Sequence, residues 1–176
     1  MSRVLEVAVP DGSKVRQAVG AVHFCDAYAA PVSHRGVTVS EAYKAVFAYS
    51  PQWVRALMKV RGWIVAPFGL LHPTQEMKRT VEEGFPQAGY EVGKRAGAFT
   101  IQSIAPDELI AGEDDKHLDF RVSVFKATKQ GAETITVSTV VQINNAFGRW
   151  YLRLIKPFHR IIVRAMLQNA VDAGRL

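Results

Sequence analysis

The sequence predicts an α+β protein in which a run of antiparallel strands is closed by a long terminal helix, and three observations carry that expectation. Ala146 to Asp172 repeats its apolar residues at helical spacing over seven turns. Between Phe99 and Asn144 the period falls to two, and the segments are separated by short polar turns. Two shorter helical patterns, over 38–50 and 52–64, come before the strands.

Taken in order, Arg3 to Val9 reads as a short strand or ordered arm, and Pro10-Asp11-Gly12-Ser13 is turn chemistry. A second strand is expected between Ala18 and Ala29, ended by Pro31, and Ser33 to Gly36 forms a loop. Thr38 or Ser40 can cap the first helix, with Glu41 in its first turn; Pro51 stops it and opens a second helix from Gln52 to about Ile64. The stretch from Pro67 to Gly97, rich in proline and glycine, reads as a lid or entrance rather than core. Strands follow at Phe99–Ile104, Glu108–Glu113, His117–Thr128 and Glu133–Asn144. In the third of these Leu118, Phe120, Val122 and Val124 alternate with His117, Asp119, Arg121 and Ser123, so the second set is expected on a solvated face. Four strands with short turns make a meander, and the last helix must cover its apolar face. This is a helix-grip layout: a curved sheet, two short helices and one long helix, with a cavity wherever sheet and helix stand apart.

On the terminal helix, Phe147, Tyr151, Leu154, Phe158, Ile161, Ile162 and Ala165 are expected to face inward. Arg149, Arg153, Lys156, Arg160 and Arg164 are expected outside, and Pro157 should kink the helix between them. Val163 and Leu167 interrupt the basic stripe near its end, which would suit a subunit or domain contact, a homodimer being one such arrangement.

Composition sets limits on function. At 176 residues and 48% hydrophobic, the chain can form one core, so a single domain over residues 1–176 is expected. No run of about 18 apolar residues exists for a membrane span, and residues 1–30 lack a signal-peptide layout, so the expected location is cytoplasmic. Cys25 stands alone, which excludes an internal disulfide and points to a buried spectator. A net charge of +6 permits attraction to anions without choosing among nucleic acid, lipid and acidic ligands. With no nucleic-acid motif beside it, the basic stripe reads as a solvated helix face, binding no specific nucleic acid. No glycine-rich phosphate loop follows a strand, no serine stands in a nucleophile elbow, and no helix carries paired histidines, so no cofactor and no metal are called for.

Three stretches resemble a bacterial family catalogued as domain of unknown function 2867: Ser50-Pro51-Gln52-Trp53-Val54-Arg55-Ala56-Leu57-Met58 with Arg61, Gly112 through Arg121, and Gly148-Arg149-Trp150-Tyr151 continuing to Pro157-Phe158-His159-Arg160. The resemblance implies a START-like, polyketide-cyclase-like fold that encloses small apolar molecules, sometimes fused to short-chain-dehydrogenase-like NAD(P)-binding proteins. It departs at Asn144-Asn145, where a His-Asn pair is expected.

The densest polar group, Asp114, Asp115, His117, Asp119 and Arg121, could supply acid/base chemistry or simply a turn and a wet strand face. Alternate strand residues sit about 7 Å apart, a poor fit to one metal. His159 could address a pocket as a proton donor, or hydrogen-bond a neighbouring strand, and the structural role is the favoured one. Tyr151 can pack its ring while offering a hydroxyl to a ligand. The first expectation is therefore a binding protein for a small apolar or amphipathic molecule, with a cavity lined by Trp53, Leu118, Phe120, Val122, Tyr151, Leu154, Phe158 and His159. The alternatives are an enzyme of the same fold using His117, Asp119 or His159, and an interaction module docking through the basic helix.

Overall fold

A computed structural model of the chain describes residues 4–54, 56–57, 85, 89–129 and 131–176. The strands are β1 Leu5–Glu6, β2 Phe24–Pro31, β3 Arg95–Ala96, β4 Phe99–Ile104, β5 Glu108–Glu113, β6 Leu118–Lys129 and β7 Ala132–Ile143. They form one curved antiparallel sheet in the order β1-β2-β7-β6-β5-β4-β3. A register shift between Ile101 and Ser103 marks a bulge in β4, a device that bends a strand and increases its twist. The expected meander is thus β4 to β7, and β2 returns to pair with β7 along its full length.

Helix α1, Val39–Phe47, starts at Thr38 with a reciprocal cap: Glu41 N–H donates to the Thr38 hydroxyl at 3.2 Å, and Thr38 N–H donates to the Glu41 carboxylate at 2.8 Å. The Thr38 backbone bond also holds the Glu41 carboxyl below the usual glutamate range. Helical backbone resumes after Pro51 at 52–54 and 56–57. Most of the expected second helix, with Trp63, and most of the 67–97 stretch lie outside the described residues. Helix α2, Ala146–Asp172, has the expected bounds and contains Pro157.

Both helices cover one face of the sheet. Alternation puts Phe24, Asp26, Tyr28 and Ala30 of β2, Leu118, Phe120, Val122 and Val124 of β6, and Ile135, Val137, Thr139 and Val141 of β7 on that side. The main core gathers Tyr28, Val122, Val124 and Val137 with Tyr43 and Val46 of α1 and Val163, Met166 and Leu167 of α2. Val163 and Leu167 are buried within this chain, so they do not supply the subunit or domain contact expected of them.

The opposite face is also covered, which overturns the expectation of a solvated side of β6. Val9 and Val15 pack on Ala27, Ile110 and Val140, with Cys25 half-buried beside them. The expected strand start at Ala18 is instead the end of a 3-10 turn, Val15–Ala18, lying on β6 and β7. Arg121 and Ser123 are buried there at 8% and 0% exposure. Glu108, 4% exposed, ties the covering segment down: one carboxyl oxygen accepts from the Ser13 and Ser123 hydroxyls, both at 2.5 Å, and the other accepts from Lys14 N–H at 2.8 Å. A buried carboxyl is tolerated when its lone pairs are filled in this way. Glu108→Ala should therefore lower stability by about 3 kcal/mol, because two hydroxyls and one amide lose their acceptor together. Urea unfolding measures it, and a loss near that of an exposed substitution, about 0.5 kcal/mol, would contradict the tether.

Candidate functional site

Across the helix-covered face, side chains stand in rows set by the strand register. One row runs Phe24, Val141, Phe120; the next runs Asp26, Thr139, Val122; a third runs Tyr28, Val137, Val124. The first row belongs to an apolar cluster with Leu118, Tyr151 and Leu152, and the third to the main core. Between them the middle row brings two polar residues into the interior, Asp26 at 6% exposure and Thr139 at 3%.

Asp26 and Thr139 are direct cross-strand partners, so their side chains lie within about 5.5 Å at Cβ. From α2, His159 Nε2 reaches Asp26 Oδ1 at 3.3 Å. The other carboxyl oxygen, Oδ2, and the Thr139 hydroxyl are buried without a hydrogen-bond partner. Two adjacent buried polar atoms in that state are uncommon, since an unmade bond costs about 1–3 kcal/mol each. The Phe24 ring meets His159 edge-on at 5.9 Å, and Lys156 Nζ stands 5.0 Å from the Phe24 centroid. Burial pushes the neighbouring Tyr28 hydroxyl up to about 12, with Asp26 and Glu6 adding to the rise.

Beyond Val122 the lining turns aromatic. Phe120, Phe99 and Phe47 meet edge-on in sequence at 5.4 and 5.8 Å, and Tyr43 lies tilted against Phe47 at 4.8 Å. The first three are only partly buried. At the end of this run Glu113 accepts from Thr100 N–H and hydroxyl at 2.9 Å and pairs with Arg95 at 2.9 Å. The arrangement combines an acceptor, a hydroxyl and an imidazole at one end with an apolar wall leading away from them. Outside this face, a shallow hollow of about 390 Å³ lies between the His34 loop and α1 and opens to solvent.

The sequence-expected site residues divide between faces. Leu118, Phe120, Val122 and Tyr151 do line the concave side, and His159 points to Asp26. Trp53, Leu154 and Phe158 are 47%, 46% and 49% exposed. The inward face of α2 follows Gly148, Leu152, Ile155, His159, Val163, Met166 and Ala170, about a third of a turn from the expected one. Ile161, also expected inside, is 60% exposed. The reason lies at the helix start. A Cβ on Gly148 would stand 2.0 Å from the His117 carbonyl oxygen, so backbone meets backbone there and fixes the rotation of α2.

His117 and Asp119 serve this junction. Asn145 caps α2 by accepting from Gly148 N–H at 2.9 Å, and its amide donates to Lys116 O at 2.8 Å. Asn144 donates to Asp119 Oδ1 and to Asp115 O, and His117 Nδ1 lies within 3.2 Å of the Asn145 side chain. The pair standing where a His-Asn was expected therefore joins the β6 turn to the helix. Arg121, on the other face, pairs with Asp114 at 2.6 Å. Neither Asp26 nor Thr139 was among the expected site residues, although an aspartate inside the apolar alternation Phe24-Cys25-Asp26-Ala27-Tyr28 is a readable signal.

The profile of one family matches residues 18–166, from before β2 almost to the end of α2. The chain belongs to DUF2867, described as proteins of unknown function. No curated protein and no solved structure matches it. In this DUF2867 chain the matched span contains β2, β7 and most of α2, and so the Asp26, Thr139 and His159 group. The junction that orients α2 is open to direct test. Gly148→Ala should destabilise the protein by roughly 3 kcal/mol or more, since the obstructing atom is backbone and cannot rotate away. Arg149→Ala, exposed one residue on, should change it by less than about 0.5 kcal/mol. Equal melting temperatures for both variants would refute the close approach.

Proposed function

We propose that this protein binds a small amphipathic molecule on the concave face of its sheet, beneath α2, holding the polar end at Asp26 and Thr139. The carrying observation is the pair of buried polar atoms without partners, set where the apolar lining breaks. A ligand hydroxyl matches them: it donates to Asp26 Oδ2 and accepts from Thr139 Oγ1. His159 holds the carboxyl from its other oxygen. The apolar body extends over Val122 toward Phe120, two strand spacings or about 10 Å away. Leu118 and Tyr151 close the wall on that side. Ligand sites of this kind are mostly apolar with a few placed polar groups, and the START-like resemblance of the motifs supports the same reading.

A second reading rests on one observation. A carboxylate beside an imidazole orients it for proton transfer, so His159 positioned by Asp26 could act as an acid/base. His117 and Asp119 are committed to the α2 junction and lend this no support. Exchange of a ligand carbon-bound proton with deuterated water, lost in His159→Gln while binding persists, would favour the enzyme.

For the binding reading, the matched pair 1-naphthol and naphthalene separates polar from apolar recognition. Calorimetric titration should find 1-naphthol bound at least about tenfold more tightly, because losing the hydroxyl leaves the buried pair unsatisfied again. Thr139→Val and Asp26→Asn should erase that advantage while leaving naphthalene affinity unchanged. Absence of binding by either compound, or an advantage that survives both substitutions, would overturn the proposal.

A further inference from the structure

The rotation of α2, about a third of a turn from the expected one, leaves an apolar row outside. Trp150, Leu154, Phe158 and Ile161 are 54%, 46%, 49% and 60% exposed, at successive spacings of four, four and three residues. They make one stripe about 16 Å long. Exposed large apolar residues in a contiguous line, unlike isolated ones, signal an interaction surface. Directly beside them run Arg149, Arg153, Arg160 and Arg164, all exposed, with Arg153 and Arg164 bordering the apolar row. None of the four forms a salt bridge among the described residues. No acidic residue occurs in α2 before Asp172.

We propose that this outer face of α2 docks the protein on an anionic lipid surface. The charge selects an anionic partner. The shape selects a bilayer over a protein, because a convex helix face with four apolar side chains falls well short of the roughly 20–30 residues a side found in a stable protein interface. A lipid interface needs no groove: the apolar row enters the headgroup boundary while the guanidinium groups remain at the phosphates. Trp150, half exposed at one end of the row, has the amphipathic ring enriched at that depth. This is attachment along the surface, since no helix among the described residues is long and apolar enough to cross a membrane. It is independent of what the concave face holds.

The test is vesicle flotation with phosphatidylcholine alone and with phosphatidylcholine mixed with phosphatidylglycerol. The protein should partition onto the anionic vesicles about tenfold more strongly, and less so as salt is raised. Two double variants, Trp150→Ser with Phe158→Ser and Arg153→Glu with Arg160→Glu, should each reduce that partition about tenfold with unchanged melting temperature. All four positions are exposed, so both variants should fold. Equal partition onto both vesicle types overturns the proposal. Anionic binding that survives the serine variant points to a simple polyanion site and also overturns it. So does concentration-dependent dimerisation, lost in the serine variant, in place of vesicle binding.

Discussion

The contact that organises this molecule is backbone against backbone, where Gly148 of α2 meets the His117 carbonyl at the head of β6. Its tightness permits no side chain, and the Asn145 cap with the Asn144 to Asp119 bond hold the two pieces in register. A 27-residue helix fixed at its first turn has its rotation fixed along its length. That one angle sends His159 down to Asp26 and keeps Leu154, Phe158 and Ile161 outside. The candidate ligand site and the candidate membrane face are thus two results of the same constraint, on opposite sides of one helix.

The far face of the sheet has a different task. Ser13, Val15 and their neighbours seal it, and Glu108 closes the seal with three accepted hydrogen bonds. A sheet covered on both sides buries its strands well, and this leaves polar residues in the interior in need of explanation. Glu108 is explained by its partners. Asp26 and Thr139 face the helices with acceptor and hydroxyl capacity still unused, whereas both oxygens of the Glu108 carboxyl are filled.

Much of the architecture was legible because it rests on period and punctuation. Phe99–Ile104, Glu108–Glu113 and Ala146–Asp172 have the bounds expected from alternation, turn residues and helical spacing. The cap was legible as Thr38 or Ser40, and the reciprocal bonds with Glu41 decide for Thr38. The orientation of α2 was not, for a physical reason. Apolar residues occupy more than half of its circumference, so the period identifies a helix while leaving its inward side open. Gly148 decides the matter by what it lacks, and hydropathy does not register a missing side chain. Arg121 and Ser123 looked solvated because nothing in β6 itself reveals that residues 13–18 return to cover them. For the site, Leu118, Phe120 and Val122 followed from alternation, whereas the Asp26–Thr139 pairing required knowing that β2 lies against β7.

The central claim is that Asp26 and Thr139 receive the polar end of a guest. A high-resolution crystal structure grown with 1-naphthol tests it most directly. The account predicts the naphthol oxygen within about 3 Å of both Asp26 Oδ2 and Thr139 Oγ1, with the rings directed toward Phe120. An ordered water bridging those two atoms, with naphthol absent or bound elsewhere, would contradict it.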